Sequence, residues 1–207
     1  GGRYLSVMVV NQDHYIDRII HEPGTHELTM EEFGTPYVAL GARVLANAED
    51  PDDLAAVAAI QDGLGITAAS AVPFELPEYD EASFSAVREA LLEEARSGAL
   101  ADAGKAFGTK ADVDPHIHLI GTAAGWGGLP KREAFYLVRE SGLPVGAYEI
   151  RVGDVPVDAF WSVTVYNRDG YLEANELGRY SVNSVSGQRN DDGSVTVRLG
   201  GDPSLPN

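Results

Sequence analysis

The chain has 207 residues, 44% of them hydrophobic, which is enough for one substantial domain or two small ones and argues against disorder. Its 32 acidic residues outnumber 15 basic ones, and a net charge of −17 repels phosphate backbones and anionic membrane surfaces. There is no cysteine, which excludes disulfides, thiolate nucleophiles and cysteine-ligated zinc or iron–sulfur centres within these residues.

Residues 3–10, RYLSVMVV, are rich in Val, Leu and Tyr and predict a strand; residues 14–20 predict a weaker second one. Segment 24–35 reads as loop with a short strand. In YVALGARVLA (37–46), Val38, Leu40, Ala42 and Val44 alternate, which favours a strand although Leu45 and the alanines also suit a helix. Asp50-Pro51-Asp52-Asp53 is a helix start. The carboxylate of Asp50 accepts from free N–H groups, Pro51 lacks a donor that would be orphaned, and the acids suit the helix dipole. That helix is expected to stop near Gly63–Gly65. SAVPFELPEY (70–79) is a proline-punctuated linker. Asp80 then caps a helix running to about Gly98, with Phe84, Val87, Leu91 and Leu92 as its apolar stripe. Residues 99–112 read as a short helix and loop.

The stretch VDPHIHLIGTAAGWGG (113–128) repeats the cap-plus-proline signal at Asp114-Pro115. On a strand His116 and His118 would share a face and could share a metal. On a helix, two residues apart means about 200° around the axis. Ile117, Ile120, Ala123 and Ala124 fall at helical spacing, which favours the helix and separates the pair. After Pro130 the texture changes to short aromatic and β-branched runs: AFYLVRE, AYEIRV, FWSVTVY, YLEAN and SVTVRLG. Turn signals at Ser141-Gly142, Gly153-Asp154, Arg168-Asp169-Gly170 and Asp191-Asp192-Gly193 separate them. This predicts an antiparallel sheet. Aromatic residues on both faces of 160–166 predict a strand covered on both sides.

FWSVTVYNRDGYLEAN (160–175), RYSVNS (179–184) and NDDGSVTVRLGGDP (190–203) resemble domain of unknown function 1214. GRYLSVMVV (2–10) and ALGARVLANAEDPDDLAAVAAIQDGLGIT (39–67) resemble the end of its usual partner, domain of unknown function 1254, and HLIGTAAGWGGLPKREAFYL (118–137) fits the link between them. The resemblance implies a mainly β protein with a helical insertion, an α+β chain built on an antiparallel β-sandwich, jelly-roll-like. It divides the chain into 1–69 as the end of a 1254-like domain, 70–112 as a helical linker, and 113–207 as a 1214-like sandwich. It further implies more of the first domain before Gly1 and a further strand after Asn207.

The residues leave three functional expectations. His14, His21 and His26 lie in one early β region beside Asp13, Asp17, Glu22 and Glu27, and two histidines with a carboxylate suit zinc or a similar divalent metal. That predicts a metal-assisted enzyme acting on a small molecule. Alternatively, Tyr4, Trp126, Tyr136, Trp161 and Tyr180 supply aromatic surface for a non-catalytic protein that binds a carbohydrate or other metabolite. The third expectation is a structural or assembly role, in which an exposed sheet edge joins a homo-oligomer. No Gly-x-Ser-x-Gly elbow and no phosphate loop is present. No apolar run is long enough for a membrane span and no secretory signal is seen, so a cytoplasmic and an exported location both stay open.

Overall fold

The computed structural model describes residues 3–100, 102–137, 142–167 and 170–207. The chain separates into two compact units, one of Gly1–Leu45 with Gln61–Val138, the other of Ala46–Ile60 with Arg139–Asn207. Helices and antiparallel strands in small sheets make it a mixed α+β protein.

The first unit is organised by β1 (Leu5–Asn11), which lies between β2 (Arg18–Ile20) and β3 (Val38–Val44) in an antiparallel sheet of order β2-β1-β3. Alternation sends neighbouring residues of β1 to opposite faces, and both faces are covered. Met8 and Val10 pack with Ile16 and Leu129, against Phe107 and Ile19. Val9 packs with Ile20 and Phe33 on the other side, with Val7, Leu28 and Val38 beside them. Burying side chains of this size contributes about 1.5–3 kcal/mol each, so β1 anchors the unit.

Between β2 and β3, the short strand expected in 24–35 is instead a one-turn helix, α1 (Met30–Phe33). Its cause is local. The Thr29 hydroxyl accepts from the Glu32 amide at 3.2 Å, and Gly34 closes the turn at φ +68°, a conformation that suits glycine. Asp50 caps α2 (Pro51–Asp62) as its sequence predicts, accepting from the Asp52 and Asp53 amides.

Residues 63–80 contain no regular element, and α3 (Glu81–Glu94) follows, capped by Asp80, whose carboxylate accepts from Ser83 N–H at 2.6 Å. A π-helical turn over Ala95–Ala99 and a short 3-10 turn over Ala103–Lys105 lead to α4 (Pro115–Ala124). Asp114 accepts from the His116 and Ile117 amides, both at 3.0 Å, and these bonds, Ile117 foremost, hold its carboxyl below the usual range. Gly121 sits where α4 meets Ala106. A Cβ there would lie 2.7 Å from that of Ala106, which explains a glycine inside a helix.

In the second unit, β4 (Tyr148–Val152) pairs antiparallel with β7 (Val195–Leu199), placing Ile150 opposite Val197. β5 (Ser162–Thr164) pairs with β6 (Ser181–Asn183), placing Val163 opposite Val182. Val195 and Val197 are buried, and Asn207 is clasped to Gln188 through two hydrogen bonds.

Less of this region is strand than its texture suggests. Residues 134–137 and 171–175 form none. The rest of AFYLVRE, the turn residue Ser141, and Arg168 and Asp169 lie outside the described residues. Strand β5 is not covered on both faces as expected: Phe160, Val165 and Tyr166 are exposed. It pairs with β6 over three residues only, and among the described residues these two strands form a sheet of their own.

Candidate functional site

Polar side chains gather at two places, one in each unit, and the two differ in what they leave available. In the first unit the centre is His14, at the turn between β1 and β2. It is buried, 7% exposed, and its backbone is left-handed at φ +67°, uncommon for a residue with a Cβ. Gly127 N–H donates to His14 Nε2 at 2.8 Å, so Nε2 is the bare nitrogen and Nδ1 carries the proton. Nδ1–H donates to Thr122 Oγ1 at 2.8 Å, and the Thr122 hydroxyl donates in turn to the His118 carbonyl at 2.8 Å. The His14 ring stacks on Trp126 at 5.2 Å and on His118 at 5.5 Å, and Phe107 meets it edge-on at 5.7 Å. Burial, and then the neighbouring His118, push the His14 pKa down to about 4. His14 is therefore a neutral pin with both nitrogens engaged, fastening the β1–β2 turn to α4 and to the glycine turn after it.

His118 is also buried. Its Nδ1–H donates to the Ala106 carbonyl at 2.7 Å, and Tyr15 stacks on its ring at 5.0 Å. His116 points elsewhere, to Glu94 at 2.8 Å. The helix thus separates the two histidines as its geometry requires. His21 bonds Glu133 at 2.8 Å. His26 bonds the Glu22 carbonyl at 3.0 Å and approaches Arg18, which itself holds Glu32. The structure does not bring His14, His21 and His26 into one donor set. Among the described residues, no group of three or more His, Cys, Asp and Glu side chains is placed to hold a metal ion. The donor set expected from the early histidines does not fit a divalent metal.

The second unit holds an open cleft of about 810 Å³. Its lining includes Arg151 and Arg189, Asp192 and Ser194, and Trp161 with Ser184. Strand pairing creates it. Arg151 on β4 and Ser194 just before β7 meet because β4 and β7 pair antiparallel, and Arg151 Nε donates to Ser194 Oγ at 3.1 Å. Arg151 Nη2 also binds Asp192. The Ser194 hydroxyl donates to Asp192 Oδ1 at 2.6 Å. Bonds from the Ser194 hydroxyl and amide, with the Arg151 guanidinium, hold the Asp192 carboxyl down to about 2. Trp161 is fixed from the other side of the cleft through its backbone, its carbonyl accepting from Ser184 N–H at 3.0 Å. Arg189 donates through Nη1 to the Gly193 carbonyl at 2.9 Å, at the tip of the Asp191-Asp192-Gly193 turn.

Of the aromatic residues expected to bind ligand, Trp161 lines this cleft. Tyr180 is on the same unit but contributes its backbone, its carbonyl accepting from Val165 N–H. Tyr4 bonds Ser6 and meets His21 edge-on, Trp126 stacks on His14, and Tyr136 is exposed, all three in the first unit. The arginines, Asp192 and Ser194 were missed by sequence reasoning. The turn at 191–193 is visible in sequence, but nothing local says that Arg151 lies across from it.

The family model described as Protein of unknown function (DUF1214) matches residues 143–207, which include the cleft. No curated protein matches the chain. Among solved structures it is similar to the VPA0106 protein from Vibrio parahaemolyticus, at 16% identity and a TM-score of 0.60, over 95% of this chain and 71% of that one. At that identity the likeness shows the fold and nothing about activity.

Proposed function

We propose that the protein binds a small polar molecule, carbohydrate-like or carrying an anionic group, in the cleft of the second unit, without turning it over. One observation carries this reading: an indole, Trp161, and two guanidinium groups, Arg151 and Arg189, face one open space of about 810 Å³. That is the size of a metabolite site, with an apolar ring for a flat face and cationic forks for hydroxyl or carboxylate oxygens. The residues favour binding over chemistry. Among the described residues no histidine lines the cleft, and Asp192, its carboxyl held down to about 2, is too weak a base to activate the hydroxyl of Ser194.

A metal-assisted enzyme built on the early histidines is the weaker reading, since each of those side chains has protein partners instead. The resemblance upstream to domain 1254, the three-part division at 69 and 112, and a jelly-roll-like sandwich continuing beyond β7 belong to this proposal. The DUF1214 match at 143–207 supports only the 1214-like character of that segment. The test is a thermal-shift screen of sugars, sugar acids and small carboxylates against the purified chain. A ligand-dependent rise in Tm that Trp161→Ala abolishes is the expected result; no rise with any of them, or a rise that Trp161→Ala leaves intact, would sink the reading.

A further inference from the structure

The cleft of the second unit is lined by two arginines and two aspartates, Arg151, Arg189, Asp154 and Asp192, whose charges sum to zero. The four are not equivalent. Arg151 and Asp192 are ion-paired with one another, and Ser194 ties the pair together, accepting from Arg151 Nε and donating to Asp192 Oδ1. Those two charges cancel where they stand. Arg189 makes one hydrogen bond, through Nη1 to the Gly193 carbonyl, and among the described residues no carboxylate neutralises it. Asp154 has no hydrogen-bond or ion-pair partner among the described residues. What the lining leaves for a ligand is one guanidinium and one carboxylate.

Strand pairing keeps these two apart. Val195 of β7 pairs with Val152 of β4 on one side and bridges to Arg189 on the other. The backbones at Val152 and Arg189 therefore stand about 10 Å apart, two strand spacings. Asp154 follows two residues after Val152, so the anion and the cation enter the cleft from opposite sides of β7. The same lining carries an apolar group, Trp161 with Val155, Val157 and Val185.

We propose, resting on the reading of this cleft as a binding site, that its ligand is a free α-amino acid with an apolar or aromatic side chain. Arg189 receives the carboxylate as a planar fork, Asp154 receives the ammonium group, and the side chain lies against Trp161 and the valines. Charge balance selects this class over its neighbours. In a chain with 32 acidic and 15 basic residues an uncompensated aspartate is ordinary, but at this cleft it repels the simple carboxylate that Arg189 attracts. A simple amine meets the reverse conflict. A neutral sugar leaves both charges to be covered without a partner, which costs free energy. A zwitterion answers both.

Isothermal titration calorimetry at neutral pH tests this on the 207-residue chain. The probes are the common amino acids and, for the tightest of them, the matching acid without its amino group and the matching amide; for phenylalanine these are phenylpropanoate and phenylalaninamide. Saturable binding of an apolar amino acid is expected, weakened at least about tenfold when either charge is removed. Asp154→Asn should weaken the amino acid and leave the deaminated acid unchanged or tighter. Arg189→Gln should weaken the amino acid and leave the amide unchanged or tighter. Both positions are exposed, so neither variant should change the far-UV circular dichroism spectrum. A deaminated acid that binds as tightly as the amino acid overturns the proposal, as does discrimination that survives both variants. Trp161-dependent binding of a sugar or a simple carboxylate, with no amino acid bound, overturns the amino-acid assignment and leaves the cleft as a binding site. No binding by any of these molecules overturns both.

Discussion

The His14 cluster and the Arg151–Asp192–Ser194 cleft are built from similar materials and are used in opposite ways. Around His14 both ring nitrogens have a partner inside the first unit, and the ring is closed off by Trp126, Phe107 and His118. Around the cleft the polar groups are ordered by one another while they still border open space. A histidine with both nitrogens engaged and its backbone held left-handed is a structural device. Forked cations beside an indole at an open cleft are what recognition requires. The comparison teaches that residue type alone misdirects: the histidines read as metal ligands, and the open cleft is lined by arginines.

The largest expected effect is on the closed side of that comparison. His14→Ala removes two hydrogen bonds, leaves the buried Gly127 N–H without its acceptor and puts a less tolerant residue at φ +67°. Urea denaturation should show a loss of about 2–4 kcal/mol. His14→Asn, which tolerates the left-handed backbone, should cost less. If both variants cost nothing, His14 is not a pin.

Next in size is the pH dependence. The folded-state pKa of His14 is lowered to about 4 from an ordinary 6.5, so the unfolded chain binds the proton more readily. Its contribution is therefore fully present above about 6.5 and is lost as pH falls from about 6.5 towards 4, by on the order of 1–3 kcal/mol. Denaturation midpoints across that window should fall for the unsubstituted protein and fall less for His14→Asn. Equal slopes would remove His14 from the account.

The smallest effect separates the early histidines from one another. His21 is exposed and bonds Glu133, and His26 is half-buried between Arg18 and the Glu22 carbonyl, so His21→Ala or His26→Ala should change stability by less than about 1 kcal/mol. Neither should alter metal content measured by elemental analysis. Stoichiometric zinc or manganese that is lost in both variants would restore the metal reading.

What was legible in the sequence is what is encoded locally. The Asp50-Pro51 and Asp114-Pro115 caps placed α2 and α4, because a cap, its proline and the first free amides all lie within four residues. Composition placed β1, and alternation placed β3. The T-x-x-E signature of Thr29 and Glu32, followed by Gly34, was available and would have found α1. Strand content after Pro130 was over-read because aromatic and β-branched runs report β preference without a pairing partner, and YLEAN has none among the described residues. Both polar clusters were out of reach for a different reason. His14 meets Thr122 and Gly127 more than a hundred positions away, and Arg151 meets Ser194 across forty-three. Strand register and helix docking decide such meetings, and neither is written in spacing.

The cleft is the central claim, and Trp161 reports on it directly. The chain has two tryptophans, so Trp126→Phe leaves Trp161 as the sole indole. Its fluorescence should be followed while the best ligand from the thermal-shift screen is titrated in. The account predicts a saturable change in emission, weakened at least about tenfold by Arg151→Ala, which loses one good polar contact worth about 1.4 kcal/mol or more. Saturable binding in the thermal assay with no change in Trp161 emission, or an affinity indifferent to Arg151→Ala, would place the ligand elsewhere and contradict it.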